Sequence, residues 1–174
     1  ERYRKLGGRK PYILTEFGPP GIWEIAKDEI GDYQELTSTQ KAQAYKAAYE
    51  NAVIGQAGLC LGSYAFLWGQ KQEVTATWFS VLLQDNSRLA AADVLSELWT
   101  GKPVQNRCPE ISSLTVDGSR KIKPNGTVRV ALQSTDPEGD PLQVTWELVS
   151  DEERYKTGGD TEEAGISISK AVRI

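Results

Sequence analysis

Two kinds of hydrophobic pattern divide this chain. Up to about residue 105, apolar runs alternate with segments in which apolar residues recur at helical spacing. Beyond that point, short segments alternate apolar and polar residues and are separated by turn residues, a pattern typical of β-strands. The join at 101–109 carries Gly101, Pro103 and Pro109, which stop helices. We therefore predict two domains, residues 1–105 and 106–174.

The first domain predicts the order strand, helix, strand, helix. The apolar runs at 11–15 and 58–68 predict the strands, and the helical spacing of apolar residues at 37–54 and 89–100 predicts the helices. Residues 74–84 fit a strand or a helix equally well. Strands that are apolar along most of their length are typical of parallel βα units that are buried on both faces. Two such units cannot bury their faces alone, so we expect them to belong to a larger sheet or barrel.

Local signals predict where the first helix starts and where the second helix ends. Thr37 and Gln40 have the spacing of a capping box, which starts a helix. Gly101 follows the second helical pattern, where a glycine ends a helix. In the second domain, three segments (111–116, 127–132 and 142–149) predict strands, and the Asn125-Gly126 dipeptide between the first two predicts a hairpin turn.

Composition excludes several function classes. Lys plus Arg is 20 and Asp plus Glu is 24, a net charge of −4, so a generally basic nucleic-acid binder is not expected. No apolar run approaches the roughly 18 residues of a membrane span. The chain has no histidine, which excludes Ser-His-Asp and Cys-His catalysis and the usual zinc sites. It also has no methionine, and we interpret it as a piece of a larger protein.

Glu16 is the candidate catalytic residue. It follows the first predicted strand and precedes Phe17 and Gly18. A carboxylate at the carboxyl end of a parallel strand lies where α/β barrels hold their catalytic groups. On position alone, a strand-end carboxylate paired with a nearby Arg or Lys is an equally good interpretation.

The motif around Glu16 resembles a known family. The run "KPYILTEFG" is similar to the seventh-strand motif of the clan of retaining glycoside hydrolases built on the (β/α)8 barrel, and "GSYAFLWG" is similar to the eighth strand. The longer runs "EFGPPGIWE" and "FLWGQKQEVTATWF" most resemble bacterial proteins of the family 2 type, in the same clan as family 5. The resemblance covers about residues 9–105. It implies the last two βα units of a TIM barrel.

The resemblance implies a role for Glu16 and for one tryptophan. It makes Glu16 the nucleophile and places Trp68 at the floor of the sugar site. The family's second carboxylate, the acid/base, is a Glu preceded by Asn on the fourth strand, and no Asn-Glu pair occurs in this sequence. The mechanism needs no metal and no cofactor. We therefore expect the intact parent to be a glycosidase and this chain alone to be inactive.

Further residues near the two strand ends are candidates for sugar binding, because flat aromatic rings bury the C–H faces of sugars. Trp23 lies in the loop after Glu16, with a loop anchor as the equal alternative. Lys71 and Glu73 follow Trp68, although charges in loops are more often simply solvated. We assign Trp99 to the core, and core packing is also favoured for Trp78.

The second domain resembles appended modules of bacterial secreted enzymes. The run "STDPEGDPLQVTWELVSD" is similar to Ig-like or cadherin-like β-sandwiches, and "GGDTEE" at 158–163 is also similar to them. About four strands are predicted where such sandwiches have about seven, so the module is expected to be truncated. Asp136, Glu138 and Asp140 could bind calcium, but a solvated acidic turn is favoured.

The leading hypothesis is a fragment of a retaining glycoside hydrolase that acts on a poly- or oligosaccharide, with transglycosylation open. The alternatives are a non-catalytic carbohydrate-binding barrel and a structural or adhesion segment of the cell surface. The partners expected are a carbohydrate and the rest of the barrel. The resemblance implies an extracellular or periplasmic location.

Overall fold

The chain is a mixed α/β protein with small sheets. The structure, a computed structural model, describes residues 2–28, 30–118, 121–148 and 166–167. Its α-helices and strands in chain order are α1 (Arg2–Lys5), β1 (Tyr12–Phe17), α2 (Ser38–Ala52), β2 (Cys60–Ala65), α3 (Ala90–Thr100), β3 (Glu110–Asp117), β4 (Arg129–Thr135), β5 (Glu147–Leu148) and β6 (Ile166–Ser167). Short 3₁₀ helices occupy Ile22–Glu24 and Ile54–Gln56.

The two predicted strands of the first domain form a parallel pair. Tyr12 lies opposite Cys60 and Phe17 opposite Ala65. Just beyond this last pair, the Phe66 amide donates a hydrogen bond of 2.8 Å to the Phe17 carbonyl. The carboxyl ends of β1 and β2 therefore lie side by side, and the loops that follow them start from the same edge.

Helices α2 and α3 cover one face of this pair. The predicted capping box is present, with the Gln40 amide donating to Thr37 Oγ1 at 3.3 Å and the Thr37 amide donating to Gln40 Oε1 at 2.9 Å. At the other end of α2, the Tyr12 hydroxyl donates to the Ala52 carbonyl at 2.6 Å. Since Tyr12 begins β1 and Ala52 ends α2, the helix runs back along the strand, as in a βα unit.

The core lies between the strands and these two helices. Its centre is a cluster of buried side chains from β1, α2, α3 and the segment before α3: Phe17, Tyr45, Val81, Ala91, Ala92 and Leu95. The predicted helix stop is also confirmed, because Gly101 adopts a left-handed conformation with φ of 66°. The other face of β1–β2 is open in the described chain, with Ile13 52% and Leu61 68% exposed. The expected burial on both faces is therefore not seen.

In the second half of this domain, the predictions for residues 74–84 and for Trp99 were wrong, and the prediction for Trp78 was confirmed. Residues 74–84 form neither a strand nor a helix but a loop with an isolated bridge between Glu73 and Thr75. Trp99, assigned to the core, is 45% exposed, because it lies in the last turn of α3, beyond the buried part of that helix. Trp78 is 2% exposed, which confirms its place in a core.

The second domain begins with the predicted hairpin. β3 and β4 are antiparallel, with Leu114 opposite Leu132 and Val116 opposite Val130. Asn125 has a left-handed φ of 65°, and the Gly126 amide bonds to the Lys123 carbonyl, so a turn is present here. It spans Lys123–Gly126 within a longer connection between Asp117 and Arg129, and is not the tight Asn-Gly hairpin turn that was predicted. β5 and β6 pair antiparallel. Of the third predicted strand, 142–149, only Glu147–Leu148 is a strand, and residues 142–146 are irregular. Val149, the end of the third predicted strand, and the segment 158–163 lie outside the described residues.

The two cysteines are free thiols. Cys108 lies in the segment between the domains, and its amide donates to Asp93 Oδ2 at 2.7 Å. Burial, followed by the adjacent Asp93 carboxylate, raises the pKa of Cys108 to about 12. A thiol that stays protonated at neutral pH is a poor nucleophile, so we assign Cys108 a packing role.

Helices long and apolar enough to cross a bilayer are absent from the part of the chain that the structure describes.

Candidate functional site

Glu16 lies on the exposed side of β1 because the strand contains an irregularity. Leu14 pairs with Ser63 and Phe17 with Ala65. Between these two pairs β1 advances by three residues and β2 by two, so β1 contains one extra residue. A β-bulge of this kind re-aims side chains. Leu14 and Phe17 both pack against the core between strands and helices, while Thr15 and Glu16 are exposed.

The glycine after Phe17 is required by a close approach of the two strand ends. A Cβ at Gly18 would collide with the Phe66 carbonyl and would lie 3.2 Å from the Tyr45 hydroxyl. Only glycine leaves room for the chain to turn here. The Glu16-Phe17-Gly18 run thus places an exposed carboxylate directly before the turn into the first strand-end loop, residues 18–37.

Trp23 projects from this first strand-end loop on a fixed support. It lies in the 3₁₀ helix Ile22–Glu24, which is closed by a hydrogen bond of 2.9 Å from the Gly21 amide to Glu24 Oε2. The indole lies against Gly21, where a Cβ would clash with the ring. Trp23 is nevertheless 73% exposed. Its ring is therefore accessible from solvent, as are several other large apolar side chains of the described chain.

Trp68 opens the second strand-end loop, residues 66–89, and is 61% exposed. Its ring packs against that of Trp99, with the centroids 6.1 Å apart and the planes tilted by 35°. Among the described residues, Glu16, Trp23 and Trp68 make no hydrogen bond or ring contact with one another. The structure thus places these three residues at or beyond the same strand ends without direct contact between them.

Lys71 and Glu73 are brought together. Their side chains form an ion pair of 2.6 Å and are 28% and 14% exposed. The Lys71 ammonium also lies 5.5 Å from the centre of the Phe66 ring, within the range of a cation–π interaction. The two charges are therefore paired with each other and partly shielded from solvent.

The two strand-end loops pack on each other through a second hydrophobic cluster. Its buried members, Val74, Trp78 and Phe79, come from the second loop, and Ile22 and Ile25 of the first loop pack against them. The Trp78 indole N–H also donates to the Pro20 carbonyl at 3.0 Å. The loops are therefore one packed unit over the carboxyl ends of the strands.

A buried polar network, which the sequence analysis missed, also joins the loops. Lys41 of α2 is 5% exposed, and its ammonium donates to Glu35 Oε1 and to the Thr77 carbonyl. The hydroxyls of Thr75 and Thr77 each donate to the Glu35 carboxylate at 2.7 Å. Burial lowers the pKa of Lys41, and the adjacent Glu35 opposes that effect. The one signal of this network in the sequence is Lys41 itself, a lysine at a position of the helix whose neighbours face the core.

Two carboxylates of the acidic turn in the second domain accept hydrogen bonds from backbone amides of the chain. Asp136 Oδ1 accepts from the amides of Glu138 and Asp140 at 2.9 and 3.0 Å. Glu138 Oε2 accepts from the Arg107 amide at 3.1 Å. Clusters of three or more side chains suited to hold a metal ion are not present among the described residues.

No protein-family model and no curated protein matches this sequence.

Proposed function

We propose that this chain supplies the last two βα units of a (β/α)8 barrel that hydrolyses glycosidic bonds with retention, and that Glu16 is its nucleophile. The observation that carries the proposal is the position of Glu16: an exposed carboxylate at the carboxyl end of a parallel strand. Active sites of such barrels are built at that end of the strands. The resemblance of residues 9–105 to the clan supports the same assignment.

The proposed chemistry uses two carboxylates about 5–5.5 Å apart. Glu16 attacks the anomeric carbon while the second carboxyl group protonates the departing oxygen, and a covalent glycosyl–enzyme ester forms. Water, activated by the second group, then releases the sugar and restores Glu16. The second group belongs to another strand of the parent barrel, so the chain alone is expected to be inactive.

The two strand-end loops supply the proposed sugar contacts. Trp23 and Trp68 expose flat rings on which the C–H face of a sugar can lie. The Lys71–Glu73 pair offers a donor and an acceptor for hydroxyl groups beside them. The substrate class is therefore a poly- or oligosaccharide.

The finer fold and setting are part of the same proposal. Parallel pairing of β1 and β2, with α2 running back along β1, supports a βα-barrel portion. The β3–β4 hairpin, whose apolar residues pair across the strands, supports the first sheet of an Ig-like sandwich. We propose an extracellular or periplasmic location from the same resemblance.

Replacing Glu16 in the intact parent tests the proposal. Glu16→Gln removes the nucleophile and keeps the shape of the side chain, so turnover of an oligosaccharide should fall by about four orders of magnitude or more, while sugar binding stays measurable by titration calorimetry. Glu50→Gln, an exposed position on α2, is the matched control and should keep full activity. Undiminished hydrolysis by the Glu16 variant would refute the assignment.

A covalent trap adds an independent measurement. A 2-deoxy-2-fluoroglycoside with a good leaving group slows release of the ester, so mass spectrometry of a digest should place the sugar on the peptide that contains Glu16. A label on any other carboxylate would contradict the proposed role.

A further inference from the structure

We propose that the ion pair between the buried Lys41 and the half-buried Glu35 is a positioning device that holds the second strand-end loop, and with it Lys71 and Glu73, against the first. This inference rests on the proposed function, because it assigns a purpose to the pair within the same site. The residues of the pair lie on α2 and just before it, whereas the hydroxyls they bind belong to the second loop.

The network leaves its buried groups satisfied. The Glu35 carboxylate accepts from the Lys41 ammonium and from two threonine hydroxyls, and the ammonium also donates to the Thr77 carbonyl. Removing two charges from water costs more than their attraction commonly returns, so such pairs add little stability over apolar residues of the same shape. What they fix is geometry, because each hydrogen bond requires a specific placement of the loop.

The held segment leads directly to the proposed sugar contacts. The Thr75 carbonyl accepts from the Glu73 amide at 3.2 Å. At the base of the loop, Ser80 Oγ accepts from the Lys71 amide at 3.1 Å, and the Gly69 carbonyl accepts from the Val81 amide at 3.2 Å. The loop is thus closed at its base and tied at its tip, where Val74 adopts an unusual φ of 69°. Loss of the tie at Thr75 and Thr77 would free Glu73 first.

A paired substitution tests the inference without leaving a buried charge unpaired. In Glu35→Leu/Lys41→Met, both charges and the oxygens that accept from Thr75 and Thr77 are lost, while the side chains stay close to their original size. Glu97→Gln/Arg107→Met removes the exposed ion pair between α3 and the interdomain segment and is the matched control. In the full chain, the first variant should raise hydrogen exchange of the amides at 71–77 about tenfold or more and leave α3 unchanged, whereas the control should not affect 71–77.

Kinetics of the intact enzyme separate positioning from a structural role. The first variant should raise KM about tenfold with little change in kcat, as expected when binding contacts are misplaced. Thr75→Val should raise KM in the same direction, and Thr75→Ser, which keeps the hydroxyl, should restore it. Unchanged exchange at 71–77, or faster exchange with an unchanged KM, would overturn the inference. Failure of the proposed function is seen separately, in the Glu16 variant.

Discussion

Tyr45 shows how a single polar atom can organise the strand ends. Its ring is 1% exposed, and its hydroxyl donates to the Phe66 carbonyl and lies 3.2 Å from the Phe79 carbonyl. Both acceptors belong to the second strand-end loop. Buried carbonyls cost free energy when they lose their donor. The Tyr45 hydroxyl on α2 therefore stabilises the observed path of the chain after β2.

Tyr45→Phe should therefore destabilise the full chain by about 1–3 kcal/mol, measured by urea unfolding. Tyr49→Phe, one turn along α2, keeps the ring contact with Phe17 and serves as control. Burial raises the pKa of the Tyr45 phenol above its usual value. The unfolded chain ionises this phenol above about pH 10 and the folded chain does not, so its contribution is present below that pH and declines above it. The Phe variant should lose less stability there, and an equal loss would contradict this account.

At the scale of elements, Asp93 of α3 fastens the segment that follows the helix. It is 4% exposed and accepts from Arg88 at 2.8 Å and from the Cys108 amide at 2.7 Å. Glu97, one turn later, accepts from the Val104 amide and from the Arg107 guanidinium. The segment predicted as a boundary is thus hydrogen-bonded along α3.

Asp93→Asn should lower the free energy of unfolding by about 1–3 kcal/mol. An amide keeps one acceptor but turns the other into a donor, which opposes either Arg88 or the Cys108 amide. Glu50→Gln on the exposed side of α2 should stay within about 0.5 kcal/mol. Equal stability of the Asp93 variant and the parent chain in urea would show that this fastening adds nothing.

At the scale of the whole molecule, the acidic turn contacts the segment that follows the predicted boundary at 105. Besides the contact of Glu138 with Arg107, the Ile111 amide at the start of β3 donates to Thr39 Oγ1 on α2 at 2.8 Å. Only the second of these contacts crosses the boundary, since Glu138 and Arg107 both lie in 106–174. The bond to the Arg107 amide gives Glu138 a role that requires no cation.

Removal of calcium should therefore leave the full chain unchanged. We expect the same thermal midpoint in excess EDTA and in millimolar calcium, because Asp136 already binds two backbone amides. Magnesium at equal ionic strength controls for screening of the acidic surface. A rise in the midpoint that is specific to calcium would show that a cation site forms at this turn.

Local signals in the sequence were sufficient for much of the fold. The capping pair Thr37–Gln40 and the stop at Gly101 act within a few residues, so the helix ends were predicted closely. The environment of Trp99 and the partners of Lys41 depend on residues distant in the chain, such as Trp68 and Thr77. Hydrophobic periodicity indicates on which face of an element a residue lies, but not which distant residues pack against that face. The two strands were predicted, but their ends were not: β1 continues through Glu16 to Phe17 instead of ending at residue 15, and β2 ends at Ala65, three residues before Trp68.

The open edges of the parallel pair β1–β2 affect how the chain behaves in solution. In the described chain each of these strands pairs with no strand but the other, so both outer edges of the pair lack a neighbouring strand. Edges of this kind recruit other chains, and closing a sheet into a barrel removes them. The chain prepared by itself should consequently self-associate as its concentration rises, whereas further strands of the proposed barrel would cover these edges and keep it in solution.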